Sequence, residues 1–373
     1  MLTSLPLTLR PIAMTAAAVI ALAGFLPAPA QAVTPATYRI AVLGDSWAAG
    51  EGNSPYVAGE GDGDTGCHRS QNAWFYSVVL PNGKTVQNAY DSGDASVQFL
   101  ACTGAVTSDI TSTSHLSEGP QLDRMFSTTT HVFLSISGND LDFAQILDFC
   151  YTESVTDCAN WTNLIRAHDF PIVKDRLVTT IKAIHKKAPT AEIILTGYAN
   201  PVGPGATPWA NSWTLIRDLA SDYNAVEKSV VSTLDDTMNI KFADITSSFA
   251  GHEDGAATTY FFRAIDPFWP WRRLHPNNLG EIAIAKVATT KVLTPFSCPT
   301  LVKSGATGEC VKQIQRSLNA WNNYTTKLSF AALTVDGDFG AKTVAAVKAF
   351  QGYKGLTKDG IVGPATKAVL FDK

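Results

Sequence analysis

Two metal signatures are missing from this chain. No H-E-x-x-H occurs, so a zinc amidase or peptidase built on that helix has no ligands here. No two of the six cysteines stand in C-x-x-C spacing, so a zinc cluster is unsupported as well. The Asp336-Gly337-Asp338 loop lacks the spacing and distal glutamate of an EF-hand and reads as a turn. Beyond residue 32 no apolar run is long enough to cross a bilayer. Charge is scarce too. Charged residues make up 17% of the chain against 45% hydrophobic, which excludes a disordered protein and leaves enough apolar mass for a sizeable core.

What is present begins with an address. Arg10 precedes the apolar run Ile12 to Leu26, and Ala30 and Ala32 form an A-x-A site, so residues 1–32 read as a secretory signal cleaved after Ala32. Export places Cys67, Cys102, Cys150, Cys158, Cys298 and Cys310 in an oxidising compartment, where an even set predicts disulfides. Six cysteines allow 15 connectivities. Keeping every bridge local gives Cys67–Cys102, Cys150–Cys158 and Cys298–Cys310. At 373 residues the chain is too long for one small domain, and its net charge of -4 is unevenly spread. From Cys298 onward ten basic residues face five acidic ones, so that end is near +5 and the remainder near -9.

Residues 37–46 (TYRIAVLGDS), 131–140 (HVFLSISGND) and 191–199 (AEIILTGYA) each run from β-branched or apolar residues into a glycine-containing loop, with Ile240 to Ile245 a weaker fourth. Near-continuous apolar strands predict a parallel sheet covered on both faces. Val173, Leu177, Ile181 and Ile184 lie on one helical face, and Trp213 to Leu234 and Leu279 to Leu293 read as further helices. The alternation predicts a layered α/β domain over 33–294, with ligands beyond the carboxyl ends of the strands. Ser46 and Asn139 fall at two such ends.

A serine hydroxyl needs a base within hydrogen-bond reach to act as a nucleophile. Of seven histidines, His275 in Leu274-His275-Pro276-Asn277 stands out, because it immediately precedes the last helix of the domain with Pro276 at its expected first position. An ester's tetrahedral oxyanion needs preorganised donors. The N–H groups of Ser46 and Gly104 and the Asn139 amide offer three. The set GDSWAAGEG, Gly104, Gly138-Asn139-Asp140 and His275-Pro276-Asn277, in this order, resembles the SGNH (GDSL-type) hydrolase family over about residues 37–294. The placing of Cys67 and Cys102 is similar to that in secreted bacterial esterases and lipases of the family. The resemblance implies a three-layer, flavodoxin-like fold, with Ser46 as nucleophile, His275 as general base, and Ser46, Gly104 and Asn139 as the oxyanion hole. It implies no cofactor and no metal.

One position departs from the family pattern. An aspartate is usual three residues before the histidine, and here Arg272 stands there. A main-chain carbonyl such as that of Arg272, or else Asp266, are the alternatives for orienting the imidazole, and the choice stays open. The insert Asp266-Pro267-Phe268-Trp269-Pro270-Trp271-Arg272-Arg273 reads equally as a wall for an acyl group, a platform for a sugar, or a packed loop.

Past the linker Thr294 to Pro299 a short repeat appears: Asp336-Gly337-Asp338-Phe339-Gly340 with Thr343, and Asp359-Gly360-Ile361-Val362-Gly363 with Thr366. With Val311, Ile314, Leu318 and Trp321 on a preceding helix, residues 295–373 predict a small three-helix bundle. This part resembles the peptidoglycan-binding module of bacterial wall enzymes. The joint expectation is a secreted or wall-associated monomeric serine esterase or lipase. Its partners would be an ester substrate (acyl lipid or acylated sugar) and peptidoglycan, with no nucleic acid. An O-acetyl esterase of polysaccharide and a catalytically weak wall-binding protein are the competing readings. A muramidase would need two facing carboxylates about 5–9.5 Å apart.

Overall fold

Along the strand Tyr38–Gly44 (β1) alternate side chains enter opposite cores, and this alternation builds the domain. The computed structural model describes residues 37–60, 66–204, 211–235, 238–263, 273–292, 300–324 and 327–370. The expected signal segment, the linker at 294–299, Cys298 and the Asp266–Arg272 part of the aromatic insert lie outside the described residues.

β1 is joined by Ala95–Phe99 (β2), His131–Ser135 (β3), Glu192–Thr196 (β4) and Ile240–Ala243 (β5) in one sheet of order β2-β1-β3-β4-β5. Every pairing is parallel. Ile40 and Val42 of β1, Phe133 of β3 and Ile194 of β4 point into a core closed by the Asn278–Val292 helix and by Trp74 and Phe75. Ala41, Leu43, Val132, Leu134, Ile193 and Leu195 point the other way, onto Leu177, Ile181 and Ile184 of the Phe170–Lys187 helix and Val230 of the Trp213–Leu234 helix. The result is three layers with flavodoxin-like strand order, whose direction reverses between β1 and β3, where such folds bind ligands.

Two expectations needed correction. β2 was not anticipated, because its burial is partial along most of its length and it forms the sheet's edge. Pro276 is not the first residue of its helix. The helix starts at Asn278, and the Asn277 Oδ1 accepts the N–H groups of Leu279 (2.9 Å) and Gly280 (3.3 Å) as its cap. Cys67–Cys102 and Cys150–Cys158 are bridged as expected. Cys310 is also disulfide-bonded, while Cys298, its expected partner, is outside the described residues.

The C-terminal helices Glu309–Tyr324, Ala341–Tyr353 and Pro364–Leu370 share their own core, including Val311, Ile314, Leu318, Phe339, Val347 and Phe350. Its repeated loops are keyed by glutamines. The Gln315 amide donates to Asp336 Oδ1 (2.8 Å) and the Asp338 carbonyl (2.9 Å), and its Oε1 accepts the Gly337 N–H (3.0 Å). Gln351 repeats this with Asp359 (2.7 Å), Ile361 (2.9 Å) and Gly360 (2.9 Å). Asp336 and Asp359 are held below the usual carboxylate range by the N–H two residues on and by the glutamine. These are turns stabilised from within.

Candidate active site

The Gly44-Asp45-Ser46 turn is cramped by the neighbouring strand. Gly44 has φ +130°, and a Cβ there would meet the Ser135 carbonyl oxygen at 1.9 Å, so only glycine fits. The Asp45 N–H donates to that same carbonyl at 2.9 Å. Gln121 locks the turn from below, accepting the Gly44 N–H and donating to its carbonyl, both at 2.8 Å. Asp45 then caps the short Ser46–Ala49 helix by accepting the Trp47 N–H at 2.9 Å. Ser46 is thereby fixed at the first helical position, where the β1–β3 divide opens.

The distant partner arrives from the other end of the domain. His275 Nε2 lies 2.8 Å from Ser46 Oγ, across 229 positions of sequence. Its Nδ1 is 3.2 Å from the main-chain carbonyl of Arg273. A carbonyl can only accept, so this contact places the proton on Nδ1 and leaves the Nε2 lone pair facing the serine. The main-chain alternative thus has a described counterpart one residue after the position considered for it. Arg272 and Asp266 lie outside the described residues.

Ser46, Asn139 and His275 line one cleft, together with Trp47, Leu141, Phe143, Leu147, Tyr198, Tyr223 and Leu274. Its walls are mostly apolar, and Asp45 and Arg273 also line it. The Asn139 amide donates to the Ala105 carbonyl at 3.0 Å, which anchors it to the turn after β2. Gly104 sits in that turn, exposed, with φ +74°. It does not line the cleft among the described residues and is linked to Asn139 through its neighbour Ala105. Asp140 reinforces the link, accepting the Thr107 N–H (2.9 Å) and hydroxyl (2.6 Å).

Beneath the site runs a buried network that sequence reading missed. The Tyr198 phenol donates to Asp45 Oδ2 and accepts the Gly138 N–H at 3.0 Å. Burial raises the Asp45 carboxyl from 3.8 to about 7, although the Tyr198 hydrogen bond opposes it. Burial likewise pushes the Tyr198 phenol well above its usual range, with the Asp45 charge adding to the effect. Tyr198 follows Gly197 at the end of β4, so the strand-end argument applied to Ser46 and Asn139 would have reached it. A second surprise is His68, buried with Nδ1 at 2.6 Å from Glu51 Oε1, beside the Cys67–Cys102 bridge.

A GDSL-like lipase/acylhydrolase family model matches residues 42–281, and a peptidoglycan binding domain model matches residues 307–370. Lipase 1 of Streptomyces coelicolor is 30% identical over 229 residues, covering 61% of this chain and 76% of that protein. The crystal structure of an extracellular lipase from Streptomyces rimosus superposes with a TM-score of 0.56 at 25% identity, covering 68% of this chain and 100% of that one. Phospholipase A1 from Streptomyces albidoflavus gives the same TM-score of 0.56 and 25% identity, over 68% of this chain and 99% of that one.

Proposed function

Because the chain belongs to the GDSL-like lipase/acylhydrolase family and is a carboxylic ester hydrolase, we propose that Ser46 is its nucleophile and His275 its general base. The observation that carries this reading is the 2.8 Å contact between Ser46 Oγ and His275 Nε2. Ser46 Oγ attacks the ester carbonyl as Nε2 takes its proton. The oxyanion is received by the Ser46 N–H and the Asn139 amide. The family resemblance carries a third donor, the Gly104 N–H, which stands outside the described cleft lining and is tied to Asn139 through Ala105. His275 then protonates the leaving alcohol, which yields an acyl-Ser46. Water, deprotonated by the same imidazole, attacks the acyl carbon and releases the acid. Throughout, the Arg273 carbonyl does what the carboxylate does in a triad, holding Nδ1–H and stabilising the imidazolium. That support counts against a catalytically silent wall-binding protein.

The apolar cleft favours a fatty acyl group, with Leu141, Phe143, Leu147 and Leu274 as its walls. The C-terminal module favours a second reading, an O-acetyl esterase of wall polysaccharide. In either case residues 1–32 direct export, residues 33–294 form the hydrolase domain, and residues 295–373 hold the enzyme at peptidoglycan. The test is an ester series from acetyl to long acyl, run beside acetylated wall polysaccharide, with the mature protein and Ser46→Ala. Turnover that rises with chain length and vanishes in Ser46→Ala is the expected result. Undiminished turnover by Ser46→Ala would overturn the assignment, and release of acetate from the polysaccharide alone would favour the second reading.

A further inference from the structure

The loop that carries Asn139 is held in an unfavourable conformation by two side chains of one helix, Tyr223 at the cleft wall and Glu227 buried behind it. Ser137 has φ +102°, a region that residues with a side chain rarely adopt, and it is fully buried. Such a conformation persists only where its surroundings impose it. Here the surroundings are two side chains. The Tyr223 phenol donates to Ser137 Oγ at 2.6 Å, and Ser137 Oγ donates to Glu227 Oε1 at 3.3 Å. Tyr223 and Glu227 stand four residues apart on the Trp213–Leu234 helix, so one helical face grips the serine with both. Asn224 of the same helix grips the next loop, accepting the Tyr198 N–H at 2.9 Å and donating to the Tyr198 carbonyl. Through Tyr198 that hold passes to the Gly138 N–H at 3.0 Å.

We propose that Glu227 is a positioning residue for ester hydrolysis: with Tyr223 it holds Ser137 in its strained conformation and so aims the Asn139 amide at the developing oxyanion. The inference rests on the reading of Asn139 as an oxyanion donor. Glu227 is wholly buried, and burial, with Asp45 and Asp244 as further acidic neighbours, keeps its carboxyl well above the usual range. Its Oε1 accepts the Ser137 hydroxyl, a contact that the oxygen of a glutamine amide could keep. Because the transition state needs the donor aimed and the ground state does not, the effect falls on kcat.

The experiment measures kcat and KM on a soluble short-chain ester, with active sites counted by complete titration with a phosphonate ester. Glu227→Ala is expected to lower kcat per titrated site by about 10- to 100-fold with KM little changed, within the effect of losing one oxyanion donor. Glu227→Gln is expected to stay within about threefold of the parent, since the acceptor survives. In a Ser137→Gly background Glu227→Ala is expected to cost less than about threefold, because glycine adopts φ +102° unaided. If Glu227→Ala does not fold, Tyr223→Phe carries the test, with a fall in kcat per site again expected. A purely structural role would reduce the number of titratable sites and leave kcat per site intact, and that result would overturn the proposal. So would a Gln variant as damaged as Ala, or a loss that persists beside Ser137→Gly. Asn139→Ala separates the two layers. If its kcat is unchanged, the oxyanion reading itself falls; if it drops while Glu227→Ala and Tyr223→Phe do not, only the present inference falls.

Discussion

Tyr198 hydrogen-bonds Asp45, the residue before the proposed nucleophile, and the same phenol oxygen accepts the N–H of Gly138, the residue before Asn139. One hydroxyl at the end of β4 thus ties the loop after β1 to the loop after β3. Next to it, the Asp45 N–H donates to the Ser135 carbonyl at 2.9 Å, directly between the ends of β1 and β3.

Removing that hydroxyl should disturb stability and chemistry together. Tyr198→Phe strips a partner from the buried Asp45 carboxyl and from the partly buried Gly138 N–H, each worth about 1–3 kcal/mol when left unsatisfied in the interior and less where water can reach. A destabilisation of about 2–4 kcal/mol is expected, read as a lower urea midpoint at unchanged slope. kcat/KM should fall by about tenfold or more, because the nucleophile and the amide lose their common anchor. An active-site count equal to the parent's with undiminished turnover would show that the tie is dispensable.

The Asp45 carboxyl predicts a pH dependence of stability. In the folded protein burial holds its proton up to about 7, whereas the unfolded chain releases it near 3.8. Between those values the folded state binds more protons, so stability falls as pH rises, by at most about 1.4 kcal/mol per pH unit from this group. Glu227 and Glu281, also raised by burial, add slopes of the same sign. The check is therefore a difference. Asp45→Asn keeps an acceptor for the Trp47 N–H but cannot titrate, and its unfolding free energy should decline less steeply than the parent's between pH 4 and 7. Parallel curves would refute the assignment.

How much of this was legible beforehand depends on where each signal resides. Four of the five strands announced themselves by apolar runs, since they are buried on both faces. β2 did not, because Ser96 and Gln98 alternate with apolar residues on a half-exposed edge. Ser46 and His275 were reachable from their motifs, and the distance between them follows from a topology that brings both to one end of the sheet. The acceptor for His275 Nδ1 was not fully legible, because a main-chain carbonyl exists at every position and its aim depends on the φ of +57° at Leu274. Tyr223 and Glu227 lay unremarked within the expected Trp213 to Leu234 helix, since spacing alone does not distinguish a buried acid from an exposed one. The glutamine keys of the C-terminal repeat did leave a trace that went unread, Val311-Lys312-x-x-Gln315 and Val347-Lys348-x-x-Gln351.

The Cys150–Cys158 bridge has a consequence for substrate choice. It joins the Phe143–Thr152 and Val155–Leu164 helices across a separation of eight residues, and the first of them supplies Phe143, Ala144 and Leu147 to the cleft. Closing a loop this short restricts the unfolded chain by about 2.5 kcal/mol in the entropic account. Replacing both cysteines by alanine should lower stability by that order. KM should rise more for long acyl esters than for acetyl esters, because only the former reach along the helix. Equal effects on both substrates would detach the bridge from the acyl wall.

The glutamine repeat allows the C-terminal module to be tested apart from catalysis. Gln351 satisfies Asp359 Oδ1, the Ile361 carbonyl and the Gly360 N–H, and its amide also donates to Thr366 Oγ1 at 3.1 Å. Gln351→Ala leaves the buried Gly360 N–H without its acceptor and a gap beside Thr366, in a bundle whose small core supplies only a few kcal/mol of stability. A loss of about 2–3 kcal/mol would bring that module close to its unfolding midpoint. The Gly360 amide should then exchange with solvent at least about 100-fold faster, since its protection reports opening of the loop it closes. Retention on purified peptidoglycan should fall in parallel. Hydrolysis of a soluble ester should be unchanged, because the cleft around Ser46 is lined by residues of the α/β domain. Unaltered exchange at Gly360 would mean that the glutamine fills space without holding the turn, whatever becomes of wall retention.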